Sequence, residues 1–199
     1  FWHAAPPGRG DMAQWGGGLP GFIAASAQLQ EEPCLPDVAR VEWALHCAAG
    51  VADESADLAS FGLLTSAEPA TAALRISAAA SVIDSPWPVV SLIQAHGVQA
   101  GPDHGGGVED DAQGGAAPRE AALAEAARLL NGRVAQTAVV WRQGLRPMLR
   151  EATPGEAALL AQVQAGASLS DALDAAPALD FSAWLPMAVQ TGLLLGVQA

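Results

Sequence analysis

The chain has 199 residues, and its four histidines, two cysteines and scattered carboxylates are the side chains able to do acid–base, nucleophilic or metal chemistry. Their spacing supports none of these. His3, His46, His96 and His104 form no His-x-x-x-His or His-Glu-x-x-His pair, so no helix turn brings two imidazoles to one metal ion. Cys34 and Cys47 match no zinc spacing and read as small buried hydrophobes. No glycine-rich phosphate loop follows a strand. Gly105-Gly106-Gly107 is followed by Glu109-Asp110-Asp111, which would repel phosphate. Ser, His and Asp occur in no nucleophile-elbow arrangement. His46 is an i,i+4 neighbour of Glu42 on an apolar helix, a setting for a structural hydrogen bond. No catalytic residue, metal site or cofactor is therefore expected in this chain, and it is not expected to be an enzyme by itself.

Recognition chemistry is better represented. All nine basic residues are Arg, against twenty-one acidic residues, giving a net charge of −12. Arg142, Arg146 and Arg150 recur along one short stretch, where guanidinium groups could meet acidic residues of a peptide. The acidic balance argues against non-specific nucleic-acid binding, which needs clustered cations to release counterions, and against a polybasic membrane module. No apolar run reaches the roughly 18 residues of a membrane span. Phe1-Trp2-His3-Ala4 is not a signal-peptide start. A cytoplasmic location is expected, as part of a longer parent whose N-terminal portion is short here.

The elements that would position these groups follow from periodicity and caps. Asp11 could cap a helix from Met12 that Gly16-Gly17-Gly18 ends, and a second piece follows from Leu19 to about Gln30. Residues 36–49 predict the clearest helix: Pro36 at its start, Val38, Val41, Leu45 and Ala48 on one stripe, Gly50 as its stop. Residues 53–64 read as another short helix. From Leu74 the period changes, with Leu74-Arg75-Ile76 and Ser81-Val82-Ile83 extended, then a helix from Val89 to His96. Residues 97–117 contain seven Gly and an acidic run and read as a flexible loop. A helix from Pro118 to Leu130 follows. Thr137–Arg142, a turn at Gln143-Gly144 and a return from Leu145 to Glu151 make a hairpin. Pro147 places the returning strand at a sheet edge.

Three helices close the chain: one with Thr153 as N-cap, Pro154 at N1 and Glu156 at N3, one capped by Ser168, and one from Phe181 to Thr191 capped by Asp180. Pro186 should kink or shorten the last. Leu193–Val197 can return as a strand. The fold class expected is α+β: an all-helical N-terminal domain over 1–70, then a winged-helix-like domain over 71–199 with a small antiparallel sheet and three helices.

A tri-helical unit invites a DNA-binding reading, with Phe181–Thr191 as recognition helix. That helix holds no Arg, and no basic residue follows Arg150, so DNA-binding regulation is the alternative and peptide capture the first choice. An edge strand can add an extended peptide by main-chain hydrogen bonds. The groove expected is lined by Leu145, Arg146, Met148 and Arg150 of the strand and by Trp184, Met187 and Ala188 of the last helix. The plain alternative is that the helical section covers this strand.

Leu35-Pro36-Asp37-Val38-Ala39-Arg40-Val41-Glu42-Trp43-Ala44-Leu45-His46 is similar to the "L-x-D-x-A-R-L-E-W-A" signature of the HvfC/BufC family, described as putative DNA-binding domains. Further similar stretches are Leu74-Arg75 through Ser85-Pro86-Trp87-Pro88-Val89, then Val139-Val140-Trp141-Arg142 and Ala167-Ser168-Leu169-Ser170-Asp171-Ala172-Leu173. The resemblance implies a non-catalytic partner of a multinuclear-iron TIM-barrel oxidative enzyme. That enzyme modifies cysteines of ribosomally made precursor peptides, as in methanobactin and bufferin biosynthesis. The partner protein would hold the precursor's leader beside its third strand and third helix, and the iron would belong to the enzyme. Arg40, Glu42, Trp43 and His46 would then form a partner interface or an interdomain seam. Three features depart from the family pattern. Its members usually carry more helical sequence ahead of the position of Phe1, Cys47-Ala48-Ala49-Gly50 stands where an aromatic and a His are frequent, and the 97–117 stretch is expanded.

Overall fold

A computed structural model describes residues 1–8, 12–97 and 116–199. The expected Asp11 cap and most of the Gly-rich stretch 97–117 lie outside the described residues, as does His104. Within them the chain is α+β, with eight α-helices and two small antiparallel sheets.

The N-terminal part is a 3-10 turn over Met12–Gly18, helix α1 (Leu19–Ala25) and helix α2 (Leu35–Gly50). α2 forms as its periodicity requires: Ala39, Val41, Leu45 and Ala48 are its buried stripe, and Pro36 sits in its first turn. Residues 53–64 do not form one helix. Asp57 instead caps a 3-10 turn (Leu58–Gly62) that leads into α3 (Leu63–Ser66). The segment ahead of it is drawn out by contacts elsewhere: Asp57 N–H donates to Leu195 C=O (2.7 Å) and Arg75 Nη2 to Ser55 C=O (3.1 Å).

Strand β1 (Ala73–Ile76) pairs antiparallel with the last strand, β5 (Leu194–Gln198). A three-stranded sheet has the order β2 (Ser81–Ser85), β3 (Gln136–Gln143), β4 (Arg146–Glu151). The single small sheet expected from sequence is therefore two, because the first and last strands of the unit find each other across the whole intervening chain. Between β2 and β3 lie α4 (Val89–Ala95) and α5 (Ala116–Asn131). After β4 come α6 (Glu156–Gln164), α7 (Leu169–Asp174) and α8 (Phe181–Gln190).

Successive β3 residues point to opposite faces, so the three-stranded sheet serves two cores. Ala138 and Val140 join Ile83, Leu149, Val41 and Leu45 of α2 and Val89, Val90 and Ile93 of α4. Val139 and Trp141 join Met148, Leu159 and Leu160 of α6, Trp184 and Ala188 of α8, and Leu194 of β5. The buried stripe of α2 packs on the sheet, so the core is continuous across residue 70.

Local signals placed the last helices well. Ser168 Oγ accepts from Asp171 N–H and Asp180 Oδ1 from Ala183 N–H, both at 3.1 Å. α8 runs through Pro186 without ending; that residue lies on the exposed side, where the carbonyl it leaves unpaired can meet solvent. α6 starts at Glu156, later than expected, because Gly155 takes a left-handed conformation (φ 78°) and is the N-cap. A Cβ on Gly155 would lie 2.6 Å from the backbone nitrogen of Leu179. Gly155→Ala should therefore lose about 1–3 kcal/mol from backbone conformation alone, with the clash added. Urea unfolding would show it, and an unchanged midpoint would mean the chain can separate there at little cost.

Candidate functional site

The hydrogen-bond phase of β4 decides what its edge can offer. Ala152 N–H donates to Thr137 C=O (2.8 Å), which makes that pair a hydrogen-bonded one. Alternation then gives bonds to Val139/Arg150, Trp141/Met148 and Gln143/Arg146, and none to Arg142/Pro147, Val140/Leu149 or Ala138/Glu151. Pro147 consequently turns its donorless nitrogen away from β3, and the ladder loses nothing. Pro147, Leu149 and Glu151 form the outer main-chain row. No strand pairs with that row among the described residues. Two of its carbonyls are held by side chains: Leu149 C=O by Gln94 Nε2 (3.4 Å) and Glu151 C=O by Arg150 Nη1 (3.0 Å).

The hairpin turn corrects one assignment. Gly144 (φ 58°) occupies the first central position of a two-residue turn, as a II′ hairpin needs, and the strands end at Gln143 and Arg146. Leu145 is thus at the turn tip, 77% exposed, and not on the strand. Arg146 is exposed and makes no ion pair among the described residues.

The remaining groove residues meet inside the protein. Met148, Trp184 and Ala188 are buried in one cluster, with Met187 half-buried against it. Their side chains fill the space expected to be a groove, because β4 and α8 pack directly on the Trp141 side of the sheet. Arg150 crosses this layer, with its guanidinium 5.4 Å from the Trp141 ring centroid. It binds the carboxylate of Glu156 in fork geometry, Nη1 to Oε2 at 2.6 Å and Nη2 to Oε1 at 2.5 Å. Trp184 Nε1 donates to Oε1 (2.6 Å), and Thr153 donates to Oε2 from N–H (2.9 Å) and Oγ1 (3.2 Å). Glu156 has no solvent exposure. Burial alone would raise its pKa, but the bonds from Arg150, Trp184 and Thr153 outweigh burial and hold it below the ordinary carboxylate value. A saturated, ionised carboxylate is no general acid. Its role is to tie β4, α6 and α8 together. The Thr153-x-x-Glu156 spacing was the sequence signal for this residue, but it pointed to a helix cap and not to a hub.

On α2, Arg40 pairs with Asp37 (3.1 Å) and reaches Asp84 C=O (3.5 Å). Glu42 and His46 are exposed. Trp43 is half-buried beneath Gly16 and Gly17, and its ring stacks with that of His46 at 5.2 Å. A Cβ on Gly16 would lie 2.6 Å from the Trp43 ring, so the indole is already covered by the Met12–Gly18 turn. This leaves Arg40, Glu42 and His46 as the outward part of that face. Cys34 is buried, which pushes its thiol pKa up, whereas Cys47 is exposed, contrary to expectation, because it lies off the buried stripe of α2. Sequence reasoning missed the segment after α2, where Arg142 Nη1 donates to Val51 C=O and Nη2 to Asp53 Oδ1 (2.6 Å).

Among the described residues, no three His, Cys, Asp or Glu side chains group as a metal site, and no helix is long and apolar enough to cross a membrane. Compared with family models, curated proteins and solved structures, the chain matches none.

Proposed function

We propose that this chain is a non-catalytic, cytoplasmic accessory protein that holds a ribosomally made precursor peptide and docks on a multinuclear-iron TIM-barrel enzyme that oxidises the peptide's cysteines. On this reading β3, β4 and α6–α8 act as a winged-helix-like recognition unit, and Arg40, Glu42 and His46 belong to the docking face. The observation that carries it is the outer row of β4, which no strand pairs among the described residues; with Pro147 donorless and Leu149 buried, its open positions are the Pro147 carbonyl and the amide of the exposed Glu151, beside the exposed Arg146. An extended peptide satisfies such a row by main-chain bonds, and an acidic residue on it would meet Arg146. The resemblance of the α2 stretch to the HvfC/BufC signature supports the same reading.

Main-chain recognition shifts the burden from the groove residues to the edge itself. Arg146→Glu should weaken binding of a fluorescein-labelled precursor encoded beside this gene by about five- to tenfold, the scale of a well-placed charge pair at a partly exposed rim. Anisotropy titration measures it, and unchanged affinity would remove Arg146 from the site. Duplex DNA titrated at about 50 mM salt should show no salt-dependent micromolar binding, since α8 carries no cation and buries Trp184 and Ala188. Such binding would favour the regulator reading instead.

A further inference from the structure

We propose that the cleft beside the β3–β4 turn is a carboxylate-binding site, in which Asp53 is a resident and replaceable ligand of Arg142. The cleft has a volume of about 450 Å³, within the range of small-ligand pockets. The strap of residues 51–56 forms one wall, and Ser77, Arg142, the Gly144-Leu145 turn and Leu195 form the rest. Its lining shares no residue with the outer row of β4, and the proposal stands independently of the precursor-peptide reading.

The asymmetry of the Arg142–Asp53 pair is the main observation. The Arg142 side chain is 11% exposed, while that of Asp53 is 78% exposed. The cation is fixed and largely desolvated, with Nη1 on Val51 C=O and its Nε–H buried without an acceptor. The anion sits on an irregular, exposed segment. A desolvated guanidinium requires a carboxylate partner, whereas a solvated carboxylate gains little from staying. Another carboxylate entering the cleft can take the place of Asp53 at Nη2 by a rotation of that exposed side chain.

The same strap repeats the pattern. Glu54 Oε2 accepts from Ser77 Oγ (3.2 Å) and from Ala78 N–H (2.7 Å), so a second set of donors is also held by a strap carboxylate. The walls between the two are apolar, with Ala52, Ala56, Leu195 and the exposed Leu145 at the rim. This chemistry fits a carboxylate carried on an apolar body of a few carbons. A free short-chain acid and an acidic residue of an extended peptide both provide it. The net charge of −12 opposes any anion at long range, but at 0.15 M salt the screening length is about 8 Å, and the local pairing at Arg142 governs.

The test uses the whole chain labelled with ¹⁵N, at constant ionic strength, in wild-type form and as Asp53→Ala. Probes are acetate, hexanoate and the capped hexapeptide of residues 52–57, Ala-Asp-Glu-Ser-Ala-Asp. Hexanoate should shift the Arg142 Nε–H and Gly144 amide resonances. It should saturate Asp53→Ala at a concentration about three- to fivefold lower than wild type, the weight of an exposed intramolecular competitor. Arg142→Lys, checked for a retained fold by the remaining resonances, should lose the response. Hexanoate tighter than acetate supports the apolar wall, and hexapeptide tighter than hexanoate assigns the site to peptides. Equal affinity of wild type and Asp53→Ala, or an Arg142 Nε–H signal that does not move, overturns the proposal. Neither result bears on the β4 edge, which none of these probes requires.

Discussion

Glu156→Gln should lower stability by about 3–5 kcal/mol, a large share of the 5–15 kcal/mol that holds a typical domain together. Glu156 is fully buried and receives five hydrogen bonds, two from Arg150, two from Thr153 and one from Trp184. The amide keeps the shape but removes the charge, so Arg150, whose side chain is only 22% exposed, loses its counterion. One of the amide's own donors must also face a donor. Partial access of water to Arg150 places the expected value toward the lower end. Urea unfolding at pH 7 measures it, and a loss below about 1 kcal/mol would mean that the network is as dispensable as a surface pair.

The pH dependence has a defined sign. The folded pKa of Glu156 is depressed, so its contribution is complete above the unfolded value of about 4.3 and is lost as pH falls through the folded value. The stability gap between wild type and Glu156→Gln should narrow on acidification below about pH 4.5. A gap that stays constant to pH 3 would contradict an ionised Glu156 in the folded protein.

The second large effect is expected at Trp184. Truncation to Ala empties a buried position in the cluster that holds Trp141, Leu160 and Ala188, costing about 3–5 kcal/mol, and removes one of the two hydrogen bonds to Oε1 of Glu156, that of Arg150 Nη2 remaining. Trp184→Phe retains most of the apolar contact and removes only the indole N–H bond, so about 1–3 kcal/mol is expected. Thermal or urea unfolding separates the two. Equal losses would show that the hydrogen bond, and not the packing, is what Trp184 supplies. The pair also guards against a false reading: loss of peptide binding in Trp184→Ala would follow from unfolding, whereas Arg146→Glu acts on an exposed side chain.

Features with a local physical cause were legible in the sequence. The Val41, Leu45 and Ala48 stripe of α2 requires a helix whatever surrounds it. Ser168 and Asp180 cap because their side-chain oxygens lie next to the donors they satisfy, and Pro147 declares an edge because it has no donor to give. Features decided by distant partners were not legible. The pairing of β1 with β5 joins segments far apart in sequence that only the assembled core brings together. The 53–64 stretch has helical composition, yet Arg142, Arg75 and Leu195 draw its first half out straight. Leu145 stands in the turn and not in the strand because turn phase depends on the positive φ of Gly144. The two apolar elements expected to line a groove do lie together, but apolar faces that meet without a spacer bury each other. Trp184 and Met148 became core for that reason. The position of β4 at the end of its sheet was legible from Pro147, whereas the burial of Leu149 with residues of α2 and α4 was not.

Hydrogen–deuterium exchange on the chain mixed with the precursor peptide tests the central claim most directly. The peptide-holding account predicts added protection at the amide of Glu151, the exposed outer-row donor of β4, with β2 and α8 unchanged. Protection confined to α8, or to the outward face of α2, with β4 unaffected would contradict it.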